Sequence, residues 1–106
     1  MRDETLCLRA GYTPKNGEPG TVPIVQSTTY VYDSTEEIAS VFDEPTKSLI
    51  YSRFGNPTVM AVEEKINALE GGVGAMCTTS GQAATMMSLL NILSAGDSFI
   101  ASTEIY

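Results

Sequence analysis

Ala75-Met76-Cys77-Thr78-Thr79-Ser80-Gly81-Gln82-Ala83-Ala84 reads as a short apolar strand running directly into the first turn of a helix. A helix that begins at Ser80 or Gly81 leaves its first backbone N–H groups without intrahelical partners, and its aligned peptide dipoles put partial positive charge at the same point. A phosphate satisfies both. Gly81 has no Cβ and lets an anion approach the backbone, and the Ser80 hydroxyl either caps the helix or donates to a ligand oxygen. A plain cap and tight turn uses the same Ser-Gly pair. Neither GxGxxG spacing nor a Gly-Lys-Ser/Thr ending is present to decide between the two.

Working outward, the helix from about Ser80 to Ser94 carries Met86, Met87, Leu89, Leu90, Ile92 and Leu93 with hardly a charge, which predicts burial on most of its circumference. Gly96-Asp97 then leads into Ser98-Phe99-Ile100-Ala101-Ser102, a second short apolar strand. Strand, helix and strand from Val73 onward form a βαβ unit, and parallel strands need a sheet covered on both faces. The chain of 106 residues ends at Tyr106, where a further loop and helix are due. It therefore reads as the N-terminal piece of a larger α/β protein, with 1–56 an arm and short helix and 57–106 the start of a domain.

Upstream, Asn56 is a good N-cap and Pro57 a good first helical residue, predicting a helix from Pro57 to about Glu70 that Gly71-Gly72 stops. Val59, Val62, Ile66 and Leu69 form its apolar stripe, opposite Glu63, Glu64, Lys65 and Asn67. Ser34 with Glu37 fits a capping box opening a short helix through about Phe42, before Pro45. Ile24 to Tyr32 is rich in β-branched and aromatic residues and suits either a strand or an extended segment on a partner surface. Gly11, Pro14, Gly17, Pro19, Gly20 and Pro23 make residues 1–33 an extended arm without its own core.

The balance of 6 basic against 13 acidic residues, a formal net charge of −7, opposes binding to nucleic acid or anionic lipid. The charged start, Met1-Arg2-Asp3-Glu4-Thr5, leads into no long apolar run, so neither a signal peptide nor a spanning helix is expected and the compartment reads as cytoplasmic. No membrane partner is expected either. Cys7 and Cys77 lack CxxC spacing and the chain has no His, which argues against a metal site. Both cysteines are expected reduced, with Cys77 buried.

Tyr51-Ser52-Arg53-Phe54-Gly55-Asn56-Pro57-Thr58, Leu69-Glu70-Gly71-Gly72 and Thr79-Ser80-Gly81-Gln82-Ala83-Ala84, in that order, resemble the cysteine and methionine metabolism family of pyridoxal-phosphate enzymes. Gly11-Tyr12, the segment from Val22 to Tyr30 and Gly96-Asp97 extend the resemblance over essentially the whole chain. It implies an aspartate aminotransferase-like, type I fold of the α/β class, of which this chain holds the arm and the first βαβ element of the large domain. It also implies that 1–56 contacts a neighbouring subunit and that 57–106 opens the cofactor-binding large domain. Within the family, Ser-Gly-Gln-Ala-Ala is similar to the form in O-acetylhomoserine sulfhydrylases, which replace the acetate of O-acetylhomoserine with sulfide or a thiol. Ala10 to Pro14 with Asn16 to Pro19 points the same way. Cystathionine γ-synthase and methionine or cystathionine γ-lyase are the alternatives within the family. A non-catalytic phosphate-binding or oligomerisation module is the alternative outside it.

The resemblance implies roles for individual residues. The N–H groups of Gly81 and Gln82, beside Ser80, match those holding the pyridoxal 5'-phosphate phosphate. Tyr51 and Arg53 match the pair that reaches the phosphate of a neighbouring subunit, in a homo-oligomer built as a dimer of dimers with shared active sites. Arg53 has a permanent charge and a planar fork suited to phosphate, and Tyr51 has a hydroxyl to add. By itself, an arginine is as well explained by a solvated or surface-paired position. Tyr106 matches the tyrosine that stacks on the pyridine ring near the departing group, with plain packing as its other explanation. Lys15, Lys47 and Lys65 are all expected in solvent, and none stands in the Ser-x-Thr-Lys context of the family's Schiff-base lysine. That lysine, the pyridinium aspartate and the carboxylate arginine are expected beyond residue 106, so this chain alone is expected to be inactive.

Overall fold

The structure, a computed structural model, describes residues 2–43 and 49–106. Pro45 and Lys47, a helix stop and a loop cation in the sequence, lie outside the described residues. Among the described residues stand four helices, α1 (Asp3–Arg9), α2 (Thr35–Asp43), α3 (Pro57–Glu70) and α4 (Gly81–Ile92). The chain divides into two compact units, Met1–Met76 and Cys77–Tyr106.

In the first unit, α3 forms for the reasons its sequence contains. Asn56 is extended and its side chain accepts from the Thr58 N–H, Pro57 occupies the first turn, and Gly71 closes the helix in the left-handed region at φ 63°. Gly72 adds its N–H to the same Asn67 carbonyl that Gly71 uses. At the start of α2, the Glu37 N–H donates to Ser34 Oγ at 3.1 Å, while the Glu37 carboxylate returns to accept from the Asp33 N–H at 3.2 Å. The capping box is therefore closed one residue upstream of its usual point.

Three expectations for this unit are corrected. The arm is not extended throughout, because Asp3–Arg9 forms the helix α1, with Asp3 and Glu4 in its first turn and Arg9 in its last, and packs on α3. These charges complement the helix dipole, a signal that the nearby glycines and prolines obscured. The buried face of α3 is not its apolar stripe: Val59, Val62 and Ile66 are exposed, whereas Ala61 is only 6% exposed. Gly11 explains the choice. Its φ of 86° and missing Cβ bring the arm against the Ala61 carbonyl, where a Cβ would lie 2.0 Å from the oxygen and 3.2 Å from Lys65 Cβ. Lys65 is accordingly half-buried rather than in open solvent, as Lys15 is.

Among the described residues the expected strands are not confirmed. No strand forms among the described residues, where a single antiparallel bridge joins Thr29 to Tyr51. Segments 73–78 and 98–102 find no ladder partner there, and backbone groups without one do not make a strand. Of the expected βαβ unit, the helix α4 is present. Met86, Met87, Leu90 and Ile92 on it are exposed, Leu90 by 69%, so its apolar circumference is not buried as the composition predicted. Cys77 is also exposed rather than buried. Apolar character dictates that a surface be covered, and nothing among the described residues covers this one.

A candidate phosphate site at a helix N-terminus

Ser80 begins the site in the second unit. It is extended, with φ −162° and ψ 160°, and its Oγ accepts from the Ala83 N–H at 3.1 Å, so it is the N-cap of α4. Its carbonyl starts the helix by accepting from Ala84 and also takes the Thr78 hydroxyl proton at 2.8 Å. With the Oγ lone pair engaged, the Ser80 O–H proton is left to donate outward.

The N–H groups of Gly81 and Gln82 make no hydrogen bond among the described residues. A Cβ built on Gly81 meets nothing within 4 Å, so the approach to these donors is open. Electrostatics point the same way. The first turns of α1 and α2 carry their own acids, and the first turn of α3 holds Pro57 with the Asn56 side chain over Thr58, whereas α4 has no acid in its first turn. Two free backbone donors, a hydroxyl and an uncompensated helix dipole together fit a phosphate monoester.

The Gln82 side chain does something separate from its backbone. Its Nε2 donates to the Tyr106 carbonyl at 3.1 Å, so the structure brings these two site residues together. The Tyr106 ring itself is fully exposed. Its backbone follows a turn at Thr103-Glu104, closed by the Ile105 N–H on the Ser102 carbonyl, rather than the end of a strand.

In the first unit, Tyr51 and Arg53 lie on one tight turn, in which the Phe54 and Gly55 N–H groups both donate to the Tyr51 carbonyl. The Arg53 guanidinium stands over the Tyr51 ring at 5.3 Å and the Phe54 ring at 5.5 Å. No carboxylate pairs with Arg53 among the described residues, which leaves its donor fork available. The same residues include no group of three His, Cys, Asp or Glu placed to hold a metal ion. They also include no helix long and apolar enough to cross a membrane.

Sequence reasoning missed the residues behind that turn. Ser52, Tyr30 and Thr58 join Asn56 in a polar cluster that ties the turn to the arm, with bonds spanning 22 to 35 residues. Asn56-Pro57 announces a helix cap, and nothing in the spacing announces partners so far away.

Comparisons with known proteins bear on what such a turn and helix serve. The family of Cys/Met metabolism PLP-dependent enzymes matches residues 4–106. The chain is 41% identical to the O-acetyl-L-homoserine sulfhydrylase of Leptospira meyeri and 44% identical to O-acetyl-L-homoserine sulfhydrylase 1 of Thermus thermophilus. In both cases all of this chain is covered, but only 24% and 25% of the relative. The chain thus spans about a quarter of the length of the curated relatives it matches. A crystal structure from Campylobacter jejuni, of a protein assigned as an O-acetylhomoserine (thiol)-lyase and carrying a pyridoxyl-lysine phosphate, matches with a TM-score of 0.80. That match has 33% identity and covers 92% of this chain and 23% of the other. With the family match running through both units and a solved backbone agreeing with this one, the chain belongs to the cysteine and methionine metabolism family of pyridoxal-phosphate-dependent enzymes.

Proposed function

We propose that this chain is the cofactor-phosphate portion of an O-acetylhomoserine sulfhydrylase, which forms homocysteine or methionine from O-acetylhomoserine and sulfide or a thiol. The observation that carries this reading is the open N-terminus of α4, with free Gly81 and Gln82 donors, in a chain whose relatives are named sulfhydrylases. In the reaction, acetate leaves the γ-carbon and a bond from sulfur to that carbon takes its place. The full enzyme is a cytoplasmic homo-oligomer, a dimer of dimers in which active sites are shared between subunits. In finer detail, segments 73–78 and 98–102 become parallel strands on either side of α4 once the sheet is complete, with 1–56 as the arm and 57–106 as the start of the large domain.

Each residue then has a physical task. Gly81 and Gln82 donate backbone N–H groups to the cofactor phosphate, Ser80 adds its hydroxyl, and the dipole of α4 favours the anion by about 0.3–2 kcal/mol. Arg53 supplies a charged fork and Tyr51 a hydroxyl to the phosphate of the neighbouring subunit. Tyr106 would stack on the pyridine ring beside the departing group. When bound, pyridoxal phosphate supplies the electron sink that makes substitution at the γ-carbon accessible. The Schiff-base lysine, pyridinium aspartate and carboxylate arginine belong to the part of the enzyme outside these residues, where Lys15, Lys47 and Lys65 have no such role.

The test is turnover by the full-length enzyme with pyridoxal phosphate, O-acetylhomoserine and sulfide. Homocysteine release that requires all three is the expected result. Efficient cleavage of cystathionine without sulfide-dependent turnover would instead assign a γ-lyase. Arg53→Ala is expected to weaken cofactor retention at least tenfold, roughly the value of one charge-assisted hydrogen bond. Wild-type retention by that variant would remove Arg53 from the phosphate site.

A further inference from the structure

We propose that Asn56, acting with Ser52 and Tyr30, is a positioning residue that aims the Tyr51–Arg53 turn, an inference that rests on the phosphate role of Arg53 given above. The starting observation is that Asn56 carries more hydrogen-bonding capacity than a helix cap needs. Capping takes only Oδ1, which accepts from the Thr58 N–H at 3.0 Å. Asp, Ser or Thr would serve as well. The two Nδ2 protons are additional, and both are used, on the Val25 carbonyl and on Ser52 Oγ at 3.0 Å each. Asn56 is 9% exposed, so these donors are withdrawn from water and their partners matter.

Ser52 lies between Tyr51 and Arg53 and is held at every polar atom but its carbonyl. Its N–H donates to the Thr28 carbonyl at 2.9 Å and its hydroxyl donates to the Ser27 carbonyl. With that proton committed, Ser52 Oγ accepts from Asn56 and takes the Tyr30 O–H across 3.2 Å. On the other side of Tyr51, the Tyr30 N–H holds the Ile50 carbonyl at 3.3 Å. The backbone is therefore pinned on both flanks of Tyr51 and up to the residue before Arg53. The Arg53 guanidinium itself rests only on the Tyr51 and Phe54 rings among the described residues. Its aim is inherited from the pinned turn, as a binding group's precision is inherited from the groups behind it.

The experiment is a double-mutant cycle on the full-length holoenzyme, read as the equilibrium constant for pyridoxal phosphate itself. Asn56→Asp keeps the capping oxygen and replaces both donors with lone pairs facing two acceptors. Ser52→Ala removes the hydroxyl that Asn56 and Tyr30 share and carries the cycle if Asn56→Asp does not fold. Each is expected to weaken cofactor binding about tenfold, the scale of one loosened charge-assisted bond. In an Arg53→Ala background the same change should cost no more than about threefold, because only the weaker, uncharged Tyr51 hydroxyl is left to aim. Wild-type affinity in both variants would overturn the proposal. So would a full tenfold loss that persists without Arg53, since that would show a general structural role. If Arg53→Ala alone leaves affinity intact, the phosphate reading of Arg53 falls, and this proposal falls with it.

Discussion

In the first unit, side chains of the Ser52–Thr58 stretch reach across 25 to 35 residues to the carbonyls of Ser27, Val25 and Pro23. In the second unit, the bonds made by Thr78, Ser80, Thr85, Ser88 and Asp97 run over two to four residues, and Gln82 to Tyr106 is the long one. The difference separates a stretch whose polar side chains tie distant segments together from one whose side chains bond locally beside an open helix start. Two glycines make the contrast sharp. Gly11 is required by the fold, since a Cβ there would strike the Ala61 carbonyl. Gly81 has open space where its Cβ would be, so the fold gives no reason for it. A ligand does.

The contrast breaks most visibly at Gly11. Gly11→Ala must adopt a φ of 86° and displace backbone, costing on the order of 3 kcal/mol. Hydrogen exchange in the full-length enzyme should show lost protection in α1 and α3, with α4 unaffected. Unchanged protection would mean the arm does not need this close approach. A smaller loss follows at Thr58, whose hydroxyl donates to the Pro23 carbonyl and accepts from the Val25 N–H, both at 2.9 Å. Thr58→Val conserves shape and removes both bonds, so it should cost about 1–2 kcal/mol and release the arm near Val25. Exchange at the Val25 amide reads this directly, and a still-protected amide would refute it. The smallest effect on folding belongs to Gly81→Ala, within about 0.5 kcal/mol. Its effect should appear in pyridoxal phosphate affinity instead. A variant with lowered stability and normal affinity would invert the assignment of the two glycines.

Local chemistry explains which parts were legible in the sequence. The capping of α3 by Asn56, Pro57 and Gly71 and the start of α4 at Ser80-Gly81 follow from side chains within a few residues, and both stand where their signals put them. The capping box at Ser34 and Glu37 does too. By contrast, the face on which α3 packs depends on Gly11, fifty residues upstream of Ala61. The apolar stripe of Val59, Val62 and Ile66 therefore gave the wrong face. Strand formation at 73–78 and 98–102 depends on neighbours in a sheet, and apolar composition alone cannot provide them. The resemblance singled out Tyr51 and Arg53, whose phosphate role is the proposal made above. Their support from Ser52, Tyr30 and Asn56 was not legible in the sequence, because it is tertiary.

The central claim is that the N-terminus of α4 is where this family member holds its cofactor phosphate, and a crystal structure of the full-length holoenzyme tests it most directly. The account predicts phosphate oxygens within roughly 3 Å of the Gly81 and Gln82 nitrogens and of Ser80 Oγ. A bound cofactor whose phosphate is held elsewhere, with those N–H groups facing water or protein, would contradict it.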